Sequence, residues 1–177
     1  NEVEKAIEAY RTTIVYDPNS ALVQSRLAAE LVKVGNFVEA KQYCARAIQL
    51  DPKFVDGYLL LAGIQVVAKE LDQALVTYQK ALQITPENRD ALLYYGTTLA
   101  EAGRLDLAAS TLKRLVKLDE DSNSQVDPAI AWYYLEKVQT QQDKFEEAAV
   151  SLKQSLKERP GFAKAALFLA DIYLAQE

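Results

Sequence analysis

Apolar and small residues recur along this chain at spacings of three and four, the pattern of helices that bury one face. Ala40, Cys44, Ala47 and Ile48 share one such face, and Leu27, Ala28 and Leu31 share another that precedes it. Between them stands Gly35-Asn36, a turn signal, because glycine accepts the left-handed conformation that follows a helix. Asp51-Pro52 closes the second helix. The same order then returns: Tyr58, Leu61 and Ala62, Lys69 in place of the glycine, Ala74, Tyr78, Ala81 and Leu82, and finally Pro86. Ala40 to Ala74 is 34 residues, as are Pro52 to Pro86 and Ala74 to Ala108. In the other direction, Ala6, Tyr10 and Pro18 precede Ala40, Cys44 and Pro52 by the same interval. A fixed period of this length marks an array of stacked helix pairs.

The period lays out one all-α domain over 1–177. Residues 1–20 read as the second helix of a truncated unit. Units follow at 21–54, 55–88 and 89–122, then an inserted loop at 123–128, a fourth unit at 129–162, and the first helix of a further unit at 163–177. The third unit places Leu92, Tyr95, Gly96 and Leu99 before Gly103, and Ala108, Leu112 and Leu115 after it. Alanine or glycine at a helix crossing lets two axes approach closely while a large neighbour fills the flanking hole. The last helix is expected to turn Ala166, Leu169, Ala170 and Tyr173 inward. Both ends then leave an apolar face uncapped, and because solenoids need polar caps, flanking sequence or end-to-end self-association is expected.

The register slips once. Ala108 to Ala148 is 40 residues, so six have entered the acidic stretch from Leu118 to Pro128. Asp119, Asp121 and Asn123 partly imitate a calcium loop. Ser124 occupies the place of the essential glycine, and Ile130 that of the bidentate glutamate, so a plain acidic loop is the better reading.

Composition narrows the chemistry. Half of the residues are apolar and the net charge is -5 with both signs interspersed. Nucleic acid is excluded as a partner, since phosphate binding needs a concentrated basic face. No apolar run reaches the roughly 18 residues of a membrane span, so direct membrane insertion is excluded. The reading is of a soluble chain, compatible with cytoplasm or periplasm. There is no histidine, which removes the commonest general base and metal ligand. The single Cys44 excludes an internal disulfide and falls at a buried position. No glycine-rich phosphate loop appears. The expectation is a non-enzyme with no cofactor and no metal.

The array resembles the tetratricopeptide repeat family, whose pattern 55–88 meets with Tyr58, Leu61, Ala62, Ala74, Tyr78, Ala81 and Pro86, departing at Gln65. Residues 129–162 meet it with Trp132, Leu135, Ala148, Leu152, Ser155 and Pro160, with Glu136 at the small-residue site. The resemblance covers essentially the whole chain. It implies a right-handed α-solenoid of antiparallel helix pairs, whose first helices line a concave groove. At the groove positions of the family stand Leu59, Gly63 and Val66, then Leu93, Tyr94 and Thr97, then Tyr133, Tyr134 and Lys137. This track is apolar and aromatic where solvated positions are ordinarily polar, which marks a binding surface. Leu60 and Tyr134 have a second reading, as packing between neighbouring first helices. Gly63 can admit a ligand backbone or serve helix packing.

A subset of the family grips the carboxylate tail of heat-shock chaperones with Lys, Asn, Asn, Lys and Arg. The matching places here hold Ser25, Ala29, Leu60, Asp90 and Tyr94 or, one unit later, Leu59, Gly63, Tyr94, Ile130 and Tyr134. Neither set is cationic, and Asp90 repels a carboxylate. With Asp56, Asp90 and Glu101 at its edges, the groove suits an amphipathic helix or an extended segment carrying basic residues. The expected function is a protein-interaction scaffold. The alternative is a self-assembly module that oligomerises through its terminal half-units.

Overall fold

The computed structural model describes residues 2–118 and 126–175. The stretch that imitates a calcium loop, Asp119 to Asn123, lies outside them. Ten helices account for almost all of the described residues: α1 (Glu2–Tyr16), α2 (Ala21–Lys33), α3 (Phe37–Leu50), α4 (Val55–Val67), α5 (Leu71–Ile84), α6 (Arg89–Glu101), α7 (Leu105–Leu115), α8 (Pro128–Gln141), α9 (Phe145–Glu158) and α10 (Ala163–Leu174). Short turns fold α2 on α3, α4 on α5, α6 on α7 and α8 on α9 as antiparallel pairs. No helix of the described residues is long and apolar enough to cross a membrane.

The turn inside each pair is the same device four times. The residue after the cap has a positive φ at Gly35 (77°), Lys69 (61°), Gly103 (74°) and Asp143 (58°). Around Gly35 its own N–H bonds the carbonyl of Val32, and the next N–H, of Asn36, bonds that of Leu31. Lys69 and Glu70, Gly103 and Arg104, and Asp143 and Lys144 repeat both bonds. This double bond pattern satisfies the last carbonyls of a helix and reverses the chain. Helix starts are capped where a short polar side chain is available. Asn88 accepts from the Ala91 N–H at 2.8 Å, and Asp127 from the Ala129 N–H at 2.8 Å, with Pro128 in the first turn.

The chain forms two compact units, 1–86 and 87–177. In the first, Leu27, Ala28, Leu31, Ala40, Cys44 and Ile64 make a buried cluster, flanked by Ile7, Tyr10, Phe37 and Leu60. Leu60 is partly buried against this cluster. Burial pushes the Cys44 thiol up to about 12, so it serves as a small hydrophobe. In the second unit Leu92, Leu99, Leu112, Leu115, Leu135 and Leu152 are fully buried. At its far end Ala148, Ala149, Leu152, Ala165 and Ile172 pack together with Tyr133, Phe162 and Leu169 around them.

The last helix departs from expectation. Ala165 and Ile172 are its buried residues, while Ala166, Ala170 and Tyr173 are exposed. A first helix packs on the helix before it through one face and on its own second helix through another. Among the described residues α10 has only the first of these neighbours, α9.

Two pairs carry a polar tie across their middle. Thr77 Oγ1 donates to Gln65 Oε1 at 2.8 Å in α4–α5, and Ser151 Oγ donates to Gln139 Oε1 at 2.7 Å in α8–α9. The other two pairs place Leu31 and Leu99 at the glutamine's position. Gln65 thus breaks the family pattern at no cost in satisfaction, because its buried oxygen has a donor.

Candidate partner-binding face

In the first unit, α4 carries the aliphatic part of the expected groove. Leu59, Gly63 and Val66 are half-buried, and Val67 beside them is 59 % exposed. A methyl group placed on Gly63 would meet nothing within 4 Å. Helix packing therefore does not require a glycine here.

In the second unit, α6 and α8 bring three expected residues to one place. Thr97, Tyr134 and Lys137 line a cleft of about 190 Å³ with Ala100, Glu101, Leu112, Val138 and Gln141. Leu112 and Val138 are buried, so the cleft has an apolar floor. Glu101, Lys137 and Gln141 are exposed at its rim. The Lys137 ammonium lies 5.8 Å from the centroid of the Tyr134 ring, within reach of a cation–π attraction. Thr97 donates its hydroxyl to the Tyr94 carbonyl of its own helix at 3.1 Å. Tyr94 is 46 % exposed, and partial burial, the Asp90 carboxylate and Tyr134 all hold its phenol above the ordinary value.

Two expected residues sit elsewhere. Leu93 is only 8 % exposed and counts among the buried core residues. Tyr133 is half-buried, with its ring centroid 5.2 Å from Phe162 and 6.0 Å from Phe168. It joins α8 to the residues around α10 instead of facing the cleft. Sequence reasoning singled out neither Val138 nor Leu112 as cleft residues. Their signal was present but ambiguous, since each also fits the core-facing stripe of its helix.

Glu136, beside the cleft on α8, is the most unusual residue of the second unit. It is 2 % exposed, and its Oε1 accepts a hydrogen bond from Thr140 Oγ1 at 3.0 Å. Its Oε2 is buried without a hydrogen-bond partner among the described residues. Burial raises its pKa, against the smaller opposing effects of Thr140 and Lys137. Of the acidic insertion, Asp127 is described, and it caps α8 and pairs with Arg159. The described residues contain no cluster of acidic, cysteine or histidine side chains able to hold a metal.

Comparison with known proteins agrees with this architecture. A family model described as tetratricopeptide repeat matches residues 31–79 and 68–133, and a second of the same description matches 138–177. Hsp70-Hsp90 organizing protein 3 of Arabidopsis thaliana is 33 % identical over 125 residues, which is 68 % of this chain and 22 % of that protein. The chain spans about a fifth of the length of the curated relatives it matches. Among solved structures, MamA superposes with a TM-score of 0.78 at 19 % identity, over 92 % of this chain and 91 % of its own. YrrB, described as a TPR protein with an unusual peptide-binding site, superposes with a TM-score of 0.76 at 23 % identity, over 96 % of this chain and 84 % of its own. At these identities the structures show the all-α fold of stacked helix pairs and no more.

Proposed function

The chain belongs to the tetratricopeptide repeat family, and from that premise we propose that it is a non-catalytic scaffold that binds a segment of a partner protein on its first helices. The observation that carries this reading is the α6–α8 cleft, with a buried apolar floor, exposed Tyr94 beside it and charged residues at its rim. A floor of leucine and valine under a polar rim suits an apolar anchor side chain whose backbone is held at the edge. The aliphatic face of α4 is a further contact surface of the same kind. Asp56, Asp90 and Glu101 favour an amphipathic segment that also carries basic residues.

Similarity to an Hsp70-Hsp90 organizing protein raises the question of chaperone tails. The positions that would hold a tail carboxylate contain Ser25, Ala29, Leu60, Asp90 and Tyr94, and Leu60 is partly buried against the core of its unit. No cation is supplied, so binding of an acidic chaperone tail is not expected.

The test is selection of a phage-displayed peptide library on the chain. Enriched peptides should combine apolar and basic residues, and a synthetic acidic chaperone tail should not compete with them. Tyr94→Ala with Tyr134→Ala, and separately Leu59→Asp, should abolish capture while circular dichroism stays unchanged. Undiminished capture by all of these folded variants would discard the first-helix assignment. Self-association is the second reading, favoured by the exposed Leu167, Phe168 and Leu174 on α10. Light scattering separates the two, because only self-association raises the mass with concentration in the absence of a peptide.

A further inference from the structure

Three helix pairs place a residue no larger than alanine at one register position of the first helix: Ala28, Ala62 and Gly96. A methyl group on Gly96 would lie 2.8 Å from Leu112 of its own second helix, so this position faces the crossing of the pair. The fourth pair puts Glu136 there, and the register sets it against α9. Its carboxyl is buried, with one oxygen bonded to Thr140 and the other without a partner among the described residues. A carboxylate so placed loses its hydration and regains only one hydrogen bond, whereas a neutral carboxylic acid loses far less.

Among the described residues no buried cation pairs with Glu136, and the charge of Lys137, which favours the ionised form, weighs less than burial. The buried face of α7 is alanine and leucine, and that of α9 is alanine, serine and leucine. On α9 the charged Glu147 is bonded to Lys113 at the exposed surface, and Lys144 is exposed. On α6 the buried charge is Arg89, at the first residue of the helix, donating to the Leu118 carbonyl. On α8 itself Lys137 is exposed over Tyr134, and the Tyr133 phenol is neutral at ordinary pH.

We infer that Glu136 is a proton-dependent joint between α8 and α9, packed when protonated and loosened when ionised. The same helix carries Tyr134, Lys137 and Gln141, so the proton also tunes the α6–α8 cleft. That consequence rests on the function proposed above, while the joint itself does not. Folding tightens the proton on this carboxyl, so the folded state binds more protons than the unfolded chain. Stability is therefore fully present below the ordinary glutamate range of about 4.3 and is lost as pH rises through the higher folded value.

Two measurements on the full chain decide it. Side-chain carboxyl resonances followed by carbon NMR should show Glu136 titrating above the exposed glutamates. Thr140→Val should move it higher still, because the lost hydroxyl favours the ionised form. Between pH 4 and pH 8 the melting temperature of the wild type should fall relative to Glu136→Gln, by about 3–5 °C for every tenfold by which folding tightens the proton. Titration together with the exposed glutamates, or parallel melting curves, would overturn the joint. If Glu136→Gln does not fold, the wild-type titration still gives the answer. Neither readout needs a partner, so failure here leaves the cleft reading standing, and failure of peptide capture leaves the joint standing.

Discussion

In the first unit alanine cushions the crossing of both complete pairs, at Ala28 and Ala62; in the second the same register holds Gly96 and Glu136. The rest of the grammar is shared. Each unit begins with a pair that has leucine before a glycine turn, Leu31 and Gly35 or Leu99 and Gly103. Each continues with a pair that has a tied glutamine before a charged turn residue, Gln65 and Lys69 or Gln139 and Asp143. Even the outer bridge is repeated. Arg11–Glu39 in the first unit and Lys113–Glu147 in the second stand three periods apart, at 2.6 Å and 2.9 Å. The difference teaches that the backbone of a pair is fixed by its turn and its ties, while the crossing residue is free to vary if its neighbours answer it. Leu112 answers Gly96 by filling the missing methyl volume, and Thr140 answers Glu136 with a hydroxyl.

Transplanting the exception should break the first unit. Val66 occupies the register of Thr140, so Ala62→Glu would bury a carboxyl with no donor one turn on. A destabilisation of about 3–5 kcal/mol is expected, as for an uncompensated buried charge. Urea unfolding measures it, and Ala62→Glu with Val66→Thr should recover part of the loss. An Ala62→Glu variant as stable as the wild type would mean that the crossing is not close-packed. The complementary exchange in the second unit is milder. Gly96→Ala forces a methyl group to within 2.8 Å of a Leu112 carbon in a fully buried leucine. Overpacking of about 1–3 kcal/mol, less about 1 kcal/mol of helix propensity, leaves a net loss of about 0–2 kcal/mol. Ala28→Gly in the first unit should cost about 1 kcal/mol through propensity and about 0.8 kcal/mol more for the buried methyl group it removes.

How far the sequence reveals this differs between architecture and site. The helix pairs are legible because Gly35, Gly103 and the alanine crossings recur at a fixed interval, and periodicity survives local exceptions. Lys69 and Asp143 read as turns only through that interval, since neither residue type signals a positive φ as glycine does. The site is less legible, because a first helix has two inward sides. The family's groove positions put Thr97, Tyr134 and Lys137 on one face, and the structure gathers them around a cleft. They also put Leu93 and Tyr133 there. Leu93 turns out to be buried, and Tyr133 is drawn away by Phe162 and Phe168, at the start of α10 and within it. Contacts of that kind depend on neighbours in space that a one-dimensional pattern does not rank. The Glu136 anomaly is visible as a residue type at a register position, but its missing partner is not.

The shared polar tie gives a smaller and symmetric test. Thr77→Val should leave the Gln65 oxygen buried without its donor, and Ser151→Ala should do the same to Gln139. Each should cost about 1 kcal/mol in urea unfolding. Replacing both members of one tie, Gln65→Leu with Thr77→Val, writes the leucine grammar of the preceding pair into α4–α5. That double variant should be close to neutral, because no polar atom is left unpaired. A double variant as damaged as the single would show that the glutamine fills space that leucine does not.

The smallest expected effect is a gain. Lys69 holds a φ of 61° that a side chain with a Cβ adopts at a cost of about 1–2 kcal/mol, whereas glycine adopts it freely. Glycine gives back part of this by enlarging the freedom of the unfolded chain, by about 0.4–1 kcal/mol. Lys69→Gly should therefore stabilise the protein by about 0.5–1 kcal/mol, provided the lysine's own side-chain contacts are weak surface ones. Asp143→Gly should gain less, because aspartate tolerates the left-handed region better than lysine does. The comparison of the two units then makes a sharp demand. If both turns are the device seen at Gly35 and Gly103, the two substitutions should add, with the lysine site giving the larger rise in melting temperature. A loss at either site would mean that the side chain at that turn contributes a contact worth more than the strain it imposes.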